Sequence, residues 1–573
     1  MEPVNSRLWK VRNESIPGVR EIDDLASALA IQPLTARALL LRGLTDIDAG
    51  REFLSATLGD LPDPDLLPGM QDACVRLEQA LLRRERIAVH GDYDVDGISG
   101  CSLLVETLRA FGADVDYHIP LRLKDGYGLS AEAMRSAHAG GCHLVVSVDC
   151  GVSALTEAEL AAELGLDLII TDHHQPQDVL PRCLALINPH LPGSRFPWPD
   201  LAGVGVAFFL LVGLRRRLRE SGYFDGRIEP YLRRGLDLVA LGTIADIVPL
   251  GGVNRTLVRV GLQLLNQGIR PGIAALKKVA EVKEVTCGAV GFRLAPRLNA
   301  AGRLEDAALG VQLLLGDDPY QTRNLAERLD SFNRERQQIE QQTLEQAIAA
   351  LAEKPDEDFS IVLADERWHS GVIGIVASRL VERYHRPAVM IALENGQGKG
   401  SCRSINGFHL FQALQECSAV LAGFGGHAMA AGLTLAEGAL PEFTERFEQV
   451  ARKRLVAADL LPTITHDGDC RFQDLSLEQV AELARLQPFG MGSPQPAFVA
   501  RNCRISAARI LSEKHLKFDA EQDGQRIGCI AFGMAERFAE LEQEVDLLFR
   551  PSINEWRGRQ SVQLQIVDFQ GTK

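Results

Sequence analysis

The chain has 573 residues, of which 46% are hydrophobic and 24% charged, with a net charge of −15. That is too long for one core and rich enough for two to four, yet no apolar run approaches the roughly 18 residues a membrane helix needs. Eleven cysteines without a CxxC pair argue against a disulfide framework or a zinc knuckle, and MEPVNSRLWKVRNES lacks the apolar stretch of a secretion signal, so a cytoplasmic location is expected. Acidity counts against a phosphate-rich partner. The charge is uneven, however: GFRLAPRLNAAGR (291–303) carries three arginines and no acid, which leaves room for a local basic path.

Residues 1–49 read as an N-terminal segment packed on a first domain spanning 50–317. Within that domain, from about 80 to 250, short apolar runs alternate with helical patterns: RIAVH, GCSLLVETLRAFG, HLVVSV, SALTEAELAAELG, DLIIT. This alternation predicts βαβ units and a parallel sheet. Residues 318–354 contain no glycine and dense alternating charge, predicting a long solvated helix that connects two domains. A second α/β block, 355–457, follows with FSIVLAD, VIGIVASRLVERY and PAVMIAL. From 458 to 573 the texture is short strands, PAFVARNCRIS, HLKFDAEQ, RIGCIAFG, VDLLFRPSINEW and SVQLQIVDF, which suggests a small β-barrel or a sandwich. The expected fold class is therefore α/β: two domains containing parallel sheets, joined by a long helix, plus a C-terminal β domain.

The apolar runs of the first block share one feature. RIAVHGDYDVDG ends in His90, Asp92, Asp94 and Asp96, HLVVSVDCG in Asp149, DLIITDHH in Asp172, His173 and His174, and DLVALGTIAD in Asp246. Read as four strands of an open parallel sheet, they would deliver all these groups to one edge, because the carboxyl ends of parallel strands lie together. Carboxylates gathered in a half-buried crevice repel one another unless cations neutralise them. Oxygen donors mixed with imidazole favour Mn²⁺ or Mg²⁺ over structural zinc.

With DYDVDG, VDCG, TDHH and GTIAD in this order, the chain resembles the DHH phosphoesterase superfamily, and within it the bacterial exonucleases that attack single strands. GFGGHAMAAG (423–432) is similar to the signature of the DHH-associated domain, and LQPFGMGSPQPAF (486–498) to the start of the OB-fold found in those exonucleases. The resemblance implies that Asp94, Asp96, Asp149, His173 and Asp246 bind two divalent metal ions, with Asp149 between them. It implies that His174 meets the scissile phosphate and that Asp92 and Asp172 orient the ligands; whether His90 ligates is left open. It also implies a grip on nucleotide phosphates by Arg122, Arg303, Ser401, Arg403, Gly426 and His427. The activity implied is two-metal hydrolysis of single-stranded DNA from the 5′ end to mononucleotides, in DNA repair and recombination. The protein would be a monomer beside a single-strand-binding protein and a helicase, with no membrane partner. Phe498, Phe518, Phe532 and Trp556 are candidate stacking platforms, of which one in four is expected to be exposed. A small-substrate phosphodiesterase would lack residues 460–573, and a noncatalytic scaffold would lose its acids.

Overall fold

A computed structural model describes residues 7–13, 15–121, 128–352 and 357–572. The chain divides into two compact units, one built chiefly from 328–464, the other from 11–302, 306–327 and 465–573.

In the larger unit, strands β1 (Arg86–Gly91), β2 (Asp114–His118), β3 (Cys142–Val148), β4 (Asp167–Thr171) and β5 (Ala185–Ile187) form a sheet in the order β2-β1-β3-β4-β5. All four pairings are parallel. Helices cover both faces, so the central strands are apolar throughout: Leu144, Val146 and Val148 of β3 and Ile169 and Ile170 of β4 are fully buried. Chain direction across the sheet reverses between β1 and β3, and a crevice opens beyond the strand ends at such a switch point.

The fourth apolar run departs from expectation. Residues 236–245 are not a strand but the helix Leu236–Ala245, with Asp246 at its C-terminal end. The reason is burial. Every residue from Leu236 to Ile244 is buried, and a helix that is apolar all round shows no 3.6-residue period by which to distinguish it from a buried strand.

In the smaller unit, β6 (Ile361–Asp365), β7 (Ala388–Glu394), β8 (Gln397–Arg403), β9 (Gly423–Gly426) and β10 (Ala430–Ala436) are ordered β9-β10-β8-β7-β6. Only β6 and β7 run parallel; the other pairings are antiparallel, giving a mixed sheet. The long helix Pro319–Ala352 is present, but it is not wholly solvated. Ala347 and Leu351 enter the core against β6 and β7, and buried Arg336 bonds Glu340 at 2.7 Å and Asn333 at 2.8 Å.

The C-terminal strands β11 (Phe498–Leu511), β12 (His515–Gln522), β13 (Gln525–Ala531), β14 (Glu544–Trp556) and β15 (Arg559–Gly571) close into a barrel, which decides between barrel and sandwich. Closure leaves no free sheet edge. Phe498 and Phe518 fill the barrel core, whereas Phe532 and Trp556 are exposed, two of four rather than one. The N-terminal helices Val19–Leu29 and Pro33–Leu41 share that core through Leu25, Leu34 and Leu39, with Ile31 of the turn between them, so this segment packs with the barrel rather than simply on the first domain. Among the described residues no single helix is long and apolar enough to cross a membrane.

Candidate metal centre

Asp92 follows β1 directly and is 1% exposed. Two residues on, Asp94 caps the helix Val95–Phe111, its Oδ1 accepting the amides of Asp96 at 2.9 Å and Gly97 at 3.1 Å, the usual role of aspartate at a helix start. Gly97 is required there, since a Cβ would lie 2.5 Å from the Asp92 amide nitrogen. Asp96, inside the first helical turn, is fully buried. Its Oδ2 accepts from the Gly203 amide at 2.6 Å and its Oδ1 from the Val204 amide at 2.9 Å, both at the start of the helix Gly203–Glu220. The carboxylate thus meets the positive end of a helix dipole.

Asp149 follows β3 with φ of +65°, a left-handed conformation that an aspartate adopts at some cost and that turns its side chain toward the crevice. Asp172 follows β4. Its Oδ2 accepts the Val152 amide at 2.8 Å, and its Oδ1 accepts the amides of His173 and His174 at 2.7 and 3.0 Å and lies 2.8 Å from His174 Nδ1. It therefore orients the His174 imidazole and fixes the backbone that carries His173. Asp246 is followed by Ile247, also left-handed at φ +62°.

These segments converge on His173. Its Nε2 lies 3.1 Å from Asp149 Oδ1, 3.6 Å from Asp246 Oδ2 and 3.9 Å from Asp96 Oδ2. Among the described residues, three overlapping sets have ligand atoms within 4.8 Å of one another: Asp149 with His173 and His174, Asp96 with His173 and Asp246, and Asp92 with Asp94 and Asp149. Asp149 and His173 each belong to two. Asp92, expected only to orient ligands, comes within ligand range because the ends of β1 and β3 adjoin at the switch point.

The electrostatics call for positive charge. Burial, and then neighbouring carboxylates, raise Asp92 to about 8, Asp96 to about 7, Asp246 to about 9 and Asp149 well above the usual range. Burial and adjacent His174 lower His173 to about 4, keeping it neutral as a ligand must be. Burial opposes charge on His174 as well, but the hydrogen bond and charge of Asp172 prevail and raise it to about 9. Among the described residues, the buried atoms Asp92 Oδ1 and His173 Nε2 make no hydrogen bond. A mixed oxygen and imidazole set with such orphaned atoms fits hard divalent cations. His90 stands outside all three sets: its Nε2 lies 3.1 Å from the Gly128 carbonyl oxygen, and its ring stacks on His118 at 5.1 Å.

The expected phosphate-binding residues belong to other parts of the chain. In the smaller unit, Gly426 pairs with Ala431 and Ala431 with Cys402, so Ser401, Arg403, Gly426 and His427 cluster across three adjacent strands. Arg403 Nη1 donates to Ser401 Oγ at 3.3 Å and to the Cys402 carbonyl at 2.8 Å. Gly374, in the first turn of the helix Ile373–Tyr384, lies over them; a Cβ there would meet Ser401 Oγ at 2.8 Å and Arg403 Nη2 at 3.2 Å. A guanidinium and a hydroxyl beneath a helix N-terminus form an anion-binding arrangement. Gly426 has φ of +137°, which favours glycine. Arg303 Nη1 donates to the Gly371 carbonyl at 2.9 Å. Arg122 lies outside the described residues.

Sequence reasoning missed three contributors. Gly203 permits the helix start to approach, since a Cβ there would sit 2.6 Å from Asp149 Cβ, and Gly242 does the same beside Asp96. Asn188, fully buried after β5, donates from Nδ2 to the His174 carbonyl at 2.8 Å. Asn188 was findable: INPH is another apolar run ending in polar groups. The glycines carry no such signal.

Residues 86–243 match the DHH family N-terminal domain, 356–453 the DHHA1 domain and 466–568 the RecJ OB domain. The single-stranded-DNA-specific exonuclease RecJ of Escherichia coli is 40% identical over 568 residues, covering 96% of this chain and 97% of that protein. The protein of the same name from Bacillus subtilis is 38% identical over 568 residues, covering 98% of this chain and 70% of its own length. Among solved structures, RecJ in complex with Mn²⁺ from Thermus thermophilus superposes with a TM-score of 0.84 at 33% identity, covering 99% of this chain and 80% of that one.

Proposed function

The chain belongs to the RecJ family of single-stranded-DNA-specific exonucleases, and from that premise we propose that it degrades single-stranded DNA from the 5′ end to mononucleotides at the centre around His173. It is a metal-dependent phosphodiester hydrolase that uses Mn²⁺ or Mg²⁺. The observation that carries the assignment is the meeting of Asp96, Asp149 and Asp246, from three distant segments, within 3.9 Å of one imidazole nitrogen.

Asp94, Asp96, Asp149, His173 and Asp246 would hold two cations, with Asp92 beside them. When bound, such ions supply a nucleophile at neutral pH and offset charge on the phosphate oxygens. Asp172 fixes His174 through Nδ1 and keeps it charged, so that Nε2 can donate to a phosphate oxygen. Asp96, clamped by two amides, orients the helix that bears Asp94. Arg403 and Ser401, with Gly426 and His427, would bind a strand phosphate, the 5′-terminal one included, and Arg303 and Arg122 would add to that grip. A fixed terminal phosphate sets the distance from strand end to scissile bond, which accounts for exonuclease polarity. The exposed Phe532 and Trp556 on the barrel suit base stacking. A cytoplasmic monomer acting in repair and recombination, beside a single-strand-binding protein and a helicase, completes the reading.

The test is purified protein with Mn²⁺ and end-labelled single-stranded DNA, duplex DNA and RNA, beside Asp149→Ala. Mononucleotide release from single-stranded DNA alone, lost in the variant, is expected. Equal activity in the variant, or preference for duplex, would overturn it.

A further inference from the structure

The acid-free stretch picked out in the sequence folds into one continuous helical run, Cys287–Ala289, a π-helical turn Val290–Leu294, then Ala295–Leu304. One end of the run reaches the metal centre. Gly302 packs on the loop between Asp92 and Asp94, where a Cβ would lie 3.1 Å from the Tyr93 carbonyl oxygen. The other end presents Phe292, which is 86% exposed. At 1.5 Å per residue the two positions are about 15 Å apart along the axis.

A single exposed phenylalanine is ordinary on a protein surface. Three further observations point to an occupant. Phe292 sits in a π-helical turn, a rare irregularity that is frequent at functional positions. Adjacent Gly291 has open space beside it, with nothing within 4 Å of an added Cβ. From Val285 to Arg303 the chain has arginines at 293, 297 and 303 and no acid, in a protein of net charge −15. Arg293 is exposed and makes no ion pair among the described residues. An aromatic face beside the exposed Arg293 guanidinium matches a single nucleic-acid strand, whose bases stack and whose phosphates are anionic.

We propose that Phe292 is a stacking platform for a base of the substrate strand downstream of the cleaved bond, with Arg293 contacting a neighbouring phosphate. The inference rests on the reading of the chain as a single-strand exonuclease. It adds a specificity element on the helical run beside the metal centre, distinct from the aromatics of the barrel.

The test compares full-length Phe292→Ala, Phe292→Leu and Phe292→Trp on a long oligothymidylate and on a 5′-phosphorylated dinucleotide, with Mn²⁺. For Phe292→Ala, KM for the long strand should rise about tenfold, equivalent to about 1.4 kcal/mol and within the stacking range. The loss should be absent on the dinucleotide, which cannot reach the platform. Tryptophan should restore KM and leucine should not. In binding assays, Phe292→Ala should leave the salt dependence unchanged, whereas Arg293→Gln should reduce its slope by about 0.7. Equal losses on both substrates, or rescue by leucine as good as by tryptophan, would overturn the proposal while leaving the exonuclease reading intact. A wild-type enzyme that spares single strands would remove that reading, and the proposal with it.

Discussion

Asp172 Oδ1 lies 2.8 Å from His174 Nδ1 and also accepts two backbone amides, so that a single buried carboxylate sets the position and the charge of an imidazole facing the metal centre. This pairing is why His174 is raised to about 9 from its ordinary 6.5. In Asp172→Asn, the His174 titration followed by NMR in metal-free protein should move down toward 6.5. An unmoved titration would separate the charge of His174 from Asp172.

The crowded carboxylates make stability depend on pH and on metal together. Asp96, Asp92 and Asp246 are raised from 3.8 to about 7, 8 and 9. In the metal-free protein these groups hold protons that the unfolded chain has lost, so their stabilising contribution is complete below 3.8 and disappears as pH rises through 7 to 9. Thermal unfolding should therefore show Tm falling over this window without metal, with Mn²⁺ raising Tm more at about pH 8 than at about pH 5. A metal increment independent of pH would count against carboxylate binding.

Gly203→Ala tests the helix that clamps Asp96. The added methyl would fall 2.6 Å from Asp149 Cβ, against backbone and side chain that cannot both yield. Disturbing the support of metal ligands typically costs 10- to 100-fold in affinity, and Mn²⁺ titration calorimetry should report about that loss while the far-ultraviolet spectrum is retained.

Arg255 joins the barrel linker to the first domain. Its guanidinium donates to the carbonyls of Phe53, Arg485, Leu486 and Gln487 and stacks 3.7 Å from the Phe53 ring centroid, with no acid among these partners. Arg255→Ala leaves buried carbonyls without donors and should destabilise this unit by about 3 kcal/mol in denaturant unfolding. Arg255→Lys should recover only part, because an ammonium cannot reproduce the planar fork.

Arg403→Ala addresses the proposed terminal-phosphate grip. Removing a charged hydrogen bond to phosphate should lower kcat/KM on 5′-phosphorylated ends by about tenfold or more, with Mn²⁺ affinity unchanged. Identical kinetics on phosphorylated and unphosphorylated ends in both proteins would exclude the role.

By itself the sequence determined the parallel sheet and the polar groups at its edge. Strands covered on both faces must be apolar along their whole length, so Asp92, Asp149 and Asp172 to His174 stand out where the apolar runs stop. The barrel's strands were legible as short runs of strand-forming residues, which alternate between a face inside the barrel and a face toward solvent. Only the tertiary structure decided that Leu236–Ala245 is helical, since a segment buried on every side has no period to read. Tertiary packing alone also decided that Phe518 enters the barrel while Phe532 leaves it, that the N-terminal helices share its core, and that Asp96 is held by the amides of Gly203 and Val204, more than a hundred residues away. Periodicity records which face of an element avoids water over a few residues. Which distant backbone comes close enough to donate a hydrogen bond depends on how whole elements pack, and a glycine that makes room for such an approach looks in sequence like any other.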